Sequence, residues 1–322
     1  MHLLAKQVRL MYADAKKKRT IWQIATGLRD RLEQTIHIPG LAAEAGMSER
    51  QFYRLFHSAL GESPAAHVRR LRLERSATWL AYTDFPVIAA ALAGGYNSRE
   101  GFTRKFHEHF GCAPGVFRLR VRAELRRVPE QSPATLGKPY ELALPPMRLV
   151  AWPHLGPENG ATATWMAFGR WAVRNNLLTP NTLPVSVLYD DELITPSAHA
   201  RLDAALVVDS HLNIDECGGL PVVYDFVGGR HAIIPFSGSL YDLEAAWDWF
   251  ILRWLPASGH ALRDARMLML HDSVAVPTRA CDYFPLILGK RIHCRLCIPI
   301  DHVTASGLPP IQSACLNNGD AH

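Results

Sequence analysis

Residues 48–64 read SERQFYRLFHSALGESP and residues 98–114 read SREGFTRKFHEHFGCAP, and the relation between them decides the fold of the first part of the chain. At an offset of 50 they share Ser48/Ser98, Phe52/Phe102, Arg54/Arg104, Phe56/Phe106, His57/His107, Gly61/Gly111 and Pro64/Pro114, seven identities in seventeen positions. Leu60 and Phe110 add an apolar match. The segment occurs only twice, so it is a duplicated unit and not a solenoid.

Each copy carries the signals of one helix. Ser48 is a good N-cap with Gln51 at capping-box spacing, and Ser98 caps the second copy. Phe52, Phe56 and Leu60 recur at i, i+4, i+8, as do Phe102, Phe106 and Phe110, giving each helix one apolar face. Gly61 and Gly111 stop the helices, and Ser63-Pro64 opens the next one with proline where its missing N–H costs nothing. Short apolar segments precede both copies, 41–45 before Gly46 and 87–93 before Gly94-Gly95. A short helix, a glycine turn and a second helix with an aromatic core face is the helix-turn-helix pattern, predicted twice, over about 35–64 and 84–114. The second turn is one residue longer.

At about 100° per residue, Arg50, Tyr53, Arg54 and His57 fall away from the Phe52/Phe56 face. Glu100, Thr103, Arg104 and His107 do the same on the second helix, with Arg99 in its first turn. Such residues either form a solvated face, with Glu100 and Arg104 as an i, i+4 pair, or reach bases and phosphates in a major groove. Charge favours contact. Residues 1–128 hold 22 Lys+Arg against 11 Asp+Glu, and the remainder holds 13 against 19. A basic first part on a mildly acidic second part is the footprint of a polyanion partner confined to the first. Between the copies, 64–82 has Val68, Leu71, Ala77 and Leu80 on a helical period. Its 19 residues would span about 28 Å, close to the roughly 34 Å between successive major-groove faces on one side of DNA. One chain could therefore insert two recognition helices without dimerising.

The stretches GESPAAHVRRLRLERSATWL and GYNSREGFTRKFHEHFGCAPGVFR resemble the DNA-binding domain of the AraC/XylS transcriptional regulators, over roughly residues 20–120. The resemblance implies base contacts from Arg50, Tyr53 and Arg54 in the first unit. In the second it implies Arg99, Glu100, Thr103 and Arg104. Ala90 departs from the family, which usually carries Ile there, and this predicts looser packing of the second unit.

After Arg127 the composition changes. Residues 128–139 are rich in Pro, Ser and Gly and read as a linker. From 140 to 303, β-like runs at 148–152, 185–189, 205–208, 231–235 and 292–300 alternate with helical stretches at about 163–176 and 240–255, an α+β domain. The second helical stretch places Leu243, Trp247, Phe250/Ile251 and Trp254 on one face. Residues 304–322 carry no core pattern and are expected to be a flexible tail. HLGP at 154–157, YDDEL at 189–193, ARLDAALVV at 200–208, GGRHAIIPFSG at 228–238 and WDWFILRWLPASGHALRD at 247–264 resemble, in that order, the GyrI-like effector-binding domain. An AraC-type module followed by this domain resembles the Rob-type regulators. The expected fold is an all-α tandem helix-turn-helix domain (1–127) followed by an α+β GyrI-like domain (140–303) with a pseudo-twofold ligand groove.

The family's groove relies on a glutamate on a late strand that pairs with cationic ligands. The alignment places Met269 there, and His271 where a tyrosine is usual. Without the carboxylate an apolar, methionine-adapted pocket suits a neutral ligand, or the position is ordinary core. The ligand-binding expectation falls on Trp152, Tyr189, Trp247, Met269 and His271, although aromatics this dense also serve as core.

Cys294-x-x-Cys297 is one pair where a zinc site needs four ligands, so structural thiols are expected. No metal, no cofactor and no catalytic set is expected; two GyrI-like alternatives, a gyrase-inhibitor-like protein-binding role and hydrolysis of reactive small molecules, stay open, Met269 counting against the second. The expected partners are double-stranded DNA, RNA polymerase as for an activator, and a small-molecule effector, with binding to DNA as a monomer. No apolar run reaches the roughly 18 residues of a membrane span. The N-terminal region is too polar for a secretory signal, and a cytoplasmic, nucleoid-associated protein is expected.

Overall fold

A computed structural model describes residues 2–157, 160–179, 181–191, 193–209, 221–272 and 291–302; the expected tail at 304–322 lies outside them. Helix α1 (His2–Leu28) leads the chain. Its last turns bury Ile21, Ile24, Ala25 and Leu28, spaced i, i+3, i+4, i+7 on one stripe. They pack with Leu41, Phe52, Phe56 and Leu60 of the first unit, formed by α2 (Ile38–Glu44) and α3 (Glu49–Leu60). The side chain of Ser48 accepts the Gln51 N–H at 3.4 Å, satisfying one of the free donors of the first turn. Gly61 ends α3 in the left-handed region at φ 74°, where a side chain would be strained.

Helix α4 (Pro64–Tyr82) joins the units, and α5 (Val87–Ala93), α6 (Arg99–Phe110) and α7 (Pro114–Leu125) complete the second. Val68, Leu71, Ala77 and Leu80 of α4 are all buried, as their period required. The second core repeats the first with Phe102 and Phe106, adding Phe117 of α7 edge-on to Phe106. The expectation of loose packing around Ala90 is not what the structure shows. Ala90 and Ala91 are fully buried, and α5 lies so close to α4 that a Cβ on Gly94 would sit 2.9 Å from the Arg72 carbonyl oxygen. Small residues here permit a close helix approach that a larger aliphatic side chain would push apart.

The second domain is one antiparallel sheet with helices on one face. Its strands are β1 (Tyr140–Leu144), β2 (Met147–Leu155), β3 (Pro184–Leu188), β4 (Arg201–Val207), β5 (Val222–Phe226), β6 (Gly229–Gly238), β7 (His260–Leu262), β8 (Met267–His271) and β9 (Ile292–His302). They lie in the order β1-β6-β9-β8-β3-β4-β2-β5, with β7 on β9. Helix α8 (Ala161–Arg174) follows β2, and α9 (Leu240–Trp249) follows β6. The domain is therefore two strand–helix–strand–strand halves, β2-α8-β3-β4 and β6-α9-β8-β9, related by a pseudo-twofold axis between β3 and β8. Ser186 and Met269 face each other across that axis.

The helix expected at 240–255 is not regular throughout. After Trp249 it widens into a π turn (Phe250–Trp254), where the Leu255 N–H reaches the Phe250 carbonyl, and it resumes as α10 (Leu255–Ser258). Pro256 has no N–H to bond the Leu252 carbonyl, so the normal ladder cannot run through this point. Residues 128–139 lie against the second domain. Arg253 donates to the carbonyl oxygen of Val128 at 2.7 Å, Gly137 donates to that of Pro235 at 2.8 Å, and Leu136 bridges Phe236.

Candidate nucleic-acid interface and ligand groove

Within each unit the buried phenylalanines orient the second helix. Phe52 and Phe56 lie 5.6 Å apart at their ring centres, and Phe102 and Phe106 lie 5.2 Å apart, all fully buried. Locking that face turns the opposite one outward. Arg50, Tyr53, Arg54 and His57 are exposed on α3; Arg99, Glu100, Arg104 and His107 are exposed on α6, with Thr103 half-buried. Arg99, Glu100, Thr103, Arg104 and His107 line one shallow concave surface. Lys105 pairs with Glu108 at 2.6 Å, whereas no ion pair joins Glu100 to Arg104 among the described residues. The Arg104 guanidinium is thus not held along its own helix.

A buried charge cluster fixes how α3 passes into α4. Arg70 donates to Glu62 through Nε (3.0 Å) and Nη2 (2.7 Å) and to Glu74 through Nη1 (2.8 Å), while His67 Nδ1 lies 2.8 Å from Glu62. Burial alone would raise the Glu62 carboxyl, but hydrogen bonds from His67 and Arg70 hold it down at about 2. Burial pushes Glu74 up to about 7 against the pull of Arg70, and burial holds His67 down at about 4. Arg70 itself is 6% exposed and faces inward from α4.

The five residues expected to bind a ligand do not gather at one place. Met269 is 1% exposed in the cluster between the sheet and the helices, with Trp152 and Trp247 packed at its margin. His271 shares that face, its Nε2 2.9 Å from Ser186 Oγ and the Trp165 ring edge-on at 5.7 Å. Burial pushes His271 down to about 3, so the imidazole is neutral. Tyr189 lies on the other face of the sheet, because positions 185, 187 and 189 alternate with 186. Val185 and Val187 belong to that second apolar cluster and Tyr189 packs against it. There its hydroxyl donates to Asp203 at 2.8 Å, and burial pushes it up to about 12. It is a contact to the first domain, as described below, and the grouping with Trp152, Trp247, Met269 and His271 is corrected.

Cys294 and Cys297 are three apart on β9, so they project from opposite faces, one into each apolar cluster. They cannot converge on one ion, and burial raises both thiols, Cys297 to about 12. Among the described residues no group of three or more His, Cys, Asp and Glu is placed to hold a metal, and no helix is long and apolar enough to cross a membrane.

Two family models match. A helix-turn-helix domain model covers residues 41–120, and the model of a GyrI-like small molecule binding domain covers residues 138–278. The RCS-specific HTH-type transcriptional activator RclR of Escherichia coli is 36% identical over 98 residues, 28% of this chain and 34% of that protein. The transcriptional regulator Rob of Salmonella typhimurium is 33% identical over 91 residues, 28% of this chain and 32% of that protein. The chain thus spans about a third of the length of these curated relatives. The DNA-binding domain of AdpA, solved in complex with a target DNA, is 25% identical with a TM-score of 0.32, covering 33% of this chain and 96% of that one. Lying in sequence on the two domains described above, the two family models show a helix-turn-helix domain of AraC type followed by a GyrI-like domain.

Proposed function

We propose that the chain is a sequence-specific DNA-binding regulator of transcription that reads adjacent major-groove segments with α3 and α6. The observation that carries this reading is the duplication itself. Each unit buries a phenylalanine pair and thereby presents an equivalent exposed arginine, Arg54 or Arg104. Around them stand Arg50 and Tyr53 on one helix and Arg99, Glu100 and Thr103 on the other. Arginine at such positions reaches guanine bidentately or clamps phosphate. Helix α4 carries the two units on one chain, so a monomer suffices to engage two groove segments. The protein would act in the cytoplasm at the nucleoid, with RNA polymerase as its functional partner.

The second domain is read as the sensor of a small molecule. Met269 and the neutral His271 at the pseudo-twofold axis place no buried negative charge on the helix face, which suits an uncharged apolar ligand. The experiment that tests the DNA reading is a gel-shift series with the Arg54→Ala/Arg104→Ala variant on a duplex selected by the wild-type protein. Loss of one bidentate contact costs about 1–3 kcal/mol, so the double variant should lose sequence preference by two to four orders of magnitude. Wild-type affinity should fall steeply with salt. Survival of sequence-specific binding in the double variant would refute the proposed readout.

A further inference from the structure

The connection between β3 and β4 is the second domain's grip on the first. Asp190 receives Arg29 from the end of α1 in a short ion pair, and its other oxygen accepts the backbone N–H of Arg201 at 2.8 Å. Asp191 accepts the hydroxyl of Tyr82, the last residue of α4, and burial raises both groups. Three residues on, Ile194 is 5% exposed inside the core of the second helix-turn-helix unit, clustered with Leu73, Trp79, Phe102 and Phe117.

The strand that follows grips the first unit from below. Arg201 is 6% exposed, paired with Asp203 at 3.1 Å, and its Nη2 donates to Thr26 Oγ1 on α1 at 2.6 Å. Its guanidinium lies between the rings of Tyr189 (4.2 Å) and Trp22 (5.2 Å), the latter also on α1. Arg266, preceding β8, reaches Asp30 at 2.7 Å and the Thr26 carbonyl oxygen at 3.3 Å. Arg75 of α4 pairs with Asp264. Arg29, Arg75, Arg201 and Arg266 each pair with a carboxylate here, and Trp22 packs against the cores of both domains.

We propose that residues 189–191 and 193–200, with Arg201 and Arg266, form a clamp by which the GyrI-like domain holds the two helix-turn-helix units in one relative orientation, and so sets the spacing of the recognition helices on DNA. The physical case is that one short segment contacts three bodies at once: α1 of the first unit, the end of the connecting helix, and the core of the second unit. Helix α4 alone joins the units by a single element whose last turn could bend or fray. A clamp anchored at both ends removes that freedom. The segment leaves β3 directly after Ser186 and Leu188, so a shift of β3 against β8 at the pseudo-twofold axis has a covalent path to both units. The spacing clause rests on the DNA-binding reading; the clamp itself does not.

The test uses the full chain as wild type, as Tyr82→Phe, and as Tyr82→Phe/Ile194→Ala. Hydrogen exchange is followed by mass spectrometry without DNA. The double variant should exchange at least ~10-fold faster at residues 21–28 and 74–82, with Tyr82→Phe intermediate, while β2 and β4 keep wild-type protection. Unchanged exchange at those two segments overturns the clamp, and so does an equal loss of protection in both domains. In a second arm, the duplex selected by the wild-type protein from a random library is lengthened by two base pairs between its two recognised halves. Wild type should bind the lengthened duplex ~10-fold or more weakly, and the double variant should lose that discrimination; equal discrimination by both overturns the spacing role. A wild-type protein that selects no sequence refutes the DNA reading, and the exchange arm still decides the clamp.

Discussion

Replacing Arg70 with methionine tests how the first unit is joined to the connecting helix, because Arg70 is shared by two carboxylates. Methionine keeps much of the apolar volume and deletes the charge together with its hydrogen-bond donors. In the folded protein Arg70 donates twice to Glu62 and once to the buried Glu74. Removing one partner of a buried ion pair costs about 3–5 kcal/mol, since the other charge is left buried without compensation. The cost should depend on pH, and the sign follows from the two carboxylates. Glu62, held down at about 2, contributes stability that is complete above its unfolded value of 4.5 and is lost as pH falls towards 2. At pH 5 and pH 9 alike the variant loses that contribution. Glu74 sits at about 7, above its unfolded value, so the folded state holds its proton more tightly and its contribution is lost as pH rises from 4.5 through 7. Without Arg70 the carboxyl rises further and can escape the penalty only by staying protonated, at about 1.4 kcal/mol per pH unit. The wild-type carboxyl is itself largely protonated up to about pH 7, so the two proteins part above that pH, and the destabilisation of Arg70→Met should be larger at pH 9 than at pH 5 by about 1–3 kcal/mol. Urea unfolding followed by tryptophan fluorescence at the two pH values measures it. A loss under about 0.5 kcal/mol at pH 9, or one equal at both pH values, would show that the cluster does not carry the joint.

Gly94→Ala should destabilise the second unit by about 1–3 kcal/mol, as an overpacked core does, because the new Cβ would meet the Arg72 carbonyl oxygen at 2.9 Å; a neutral change in the melting temperature would contradict the close approach of α5 to α4. Met269→Glu places an unpartnered carboxyl at a 1% exposed position. It should lower stability by about 2 kcal/mol or more at pH 8 and less at pH 5, and a lipophilic cation should recover part of the loss; no recovery by any such cation would count against Met269 as the ligand position.

What could be read along the chain was whatever is encoded within one helix or one turn. Ser48, Gly61, Ser63 and their counterparts each act over three or four residues, and the phenylalanine period is self-contained, so both units were legible together with their exposed faces. The regular part of α1 was not singled out, although Ile21, Ile24, Ala25 and Leu28 carry the stripe. Its polar, basic N-terminal portion dilutes the pattern over a 27-residue helix. In the second domain the long strands β2, β6 and β9 announced themselves by β-branched and apolar runs. The short edge strand β1 did not, since four of its five residues are exposed and carry no buried alternation. Tyr189 shows the deeper limit. Alternation along β3 says that Tyr189 and Ser186 point to opposite faces, but nothing local says which face meets the ligand groove and which meets α1. That depends on Arg29, 160 positions away, and on Arg201 across the hairpin.

Both halves of the molecule are built by doubling, yet only one doubling is visible as repeated letters, and the reason is physical. In the helical domain each copy performs the same two tasks, burying a phenylalanine pair and presenting an arginine, so the same residue types recur at the same offsets. In the sheet domain the halves β2-α8-β3-β4 and β6-α9-β8-β9 share topology but not surroundings. The far face of the first half is covered by α1 and carries Arg201, Asp203 and Tyr189, joined by Tyr224 of the adjoining β5. The corresponding surface of the second half carries Cys297 and Ile233 among apolar neighbours. Equivalent backbone positions therefore answer to different partners, and identity between the halves would bury a second Arg–Asp pair without the Thr26, Trp22 and Tyr189 that complete the first. The first half reaches the helical domain through Arg201 and the segment after β3, and the second half reaches it ahead of β8, through Asp264 and Arg266. A substitution on β4 should therefore be felt at α1 and α4, while its topological equivalent on β9 should be felt only within the second domain.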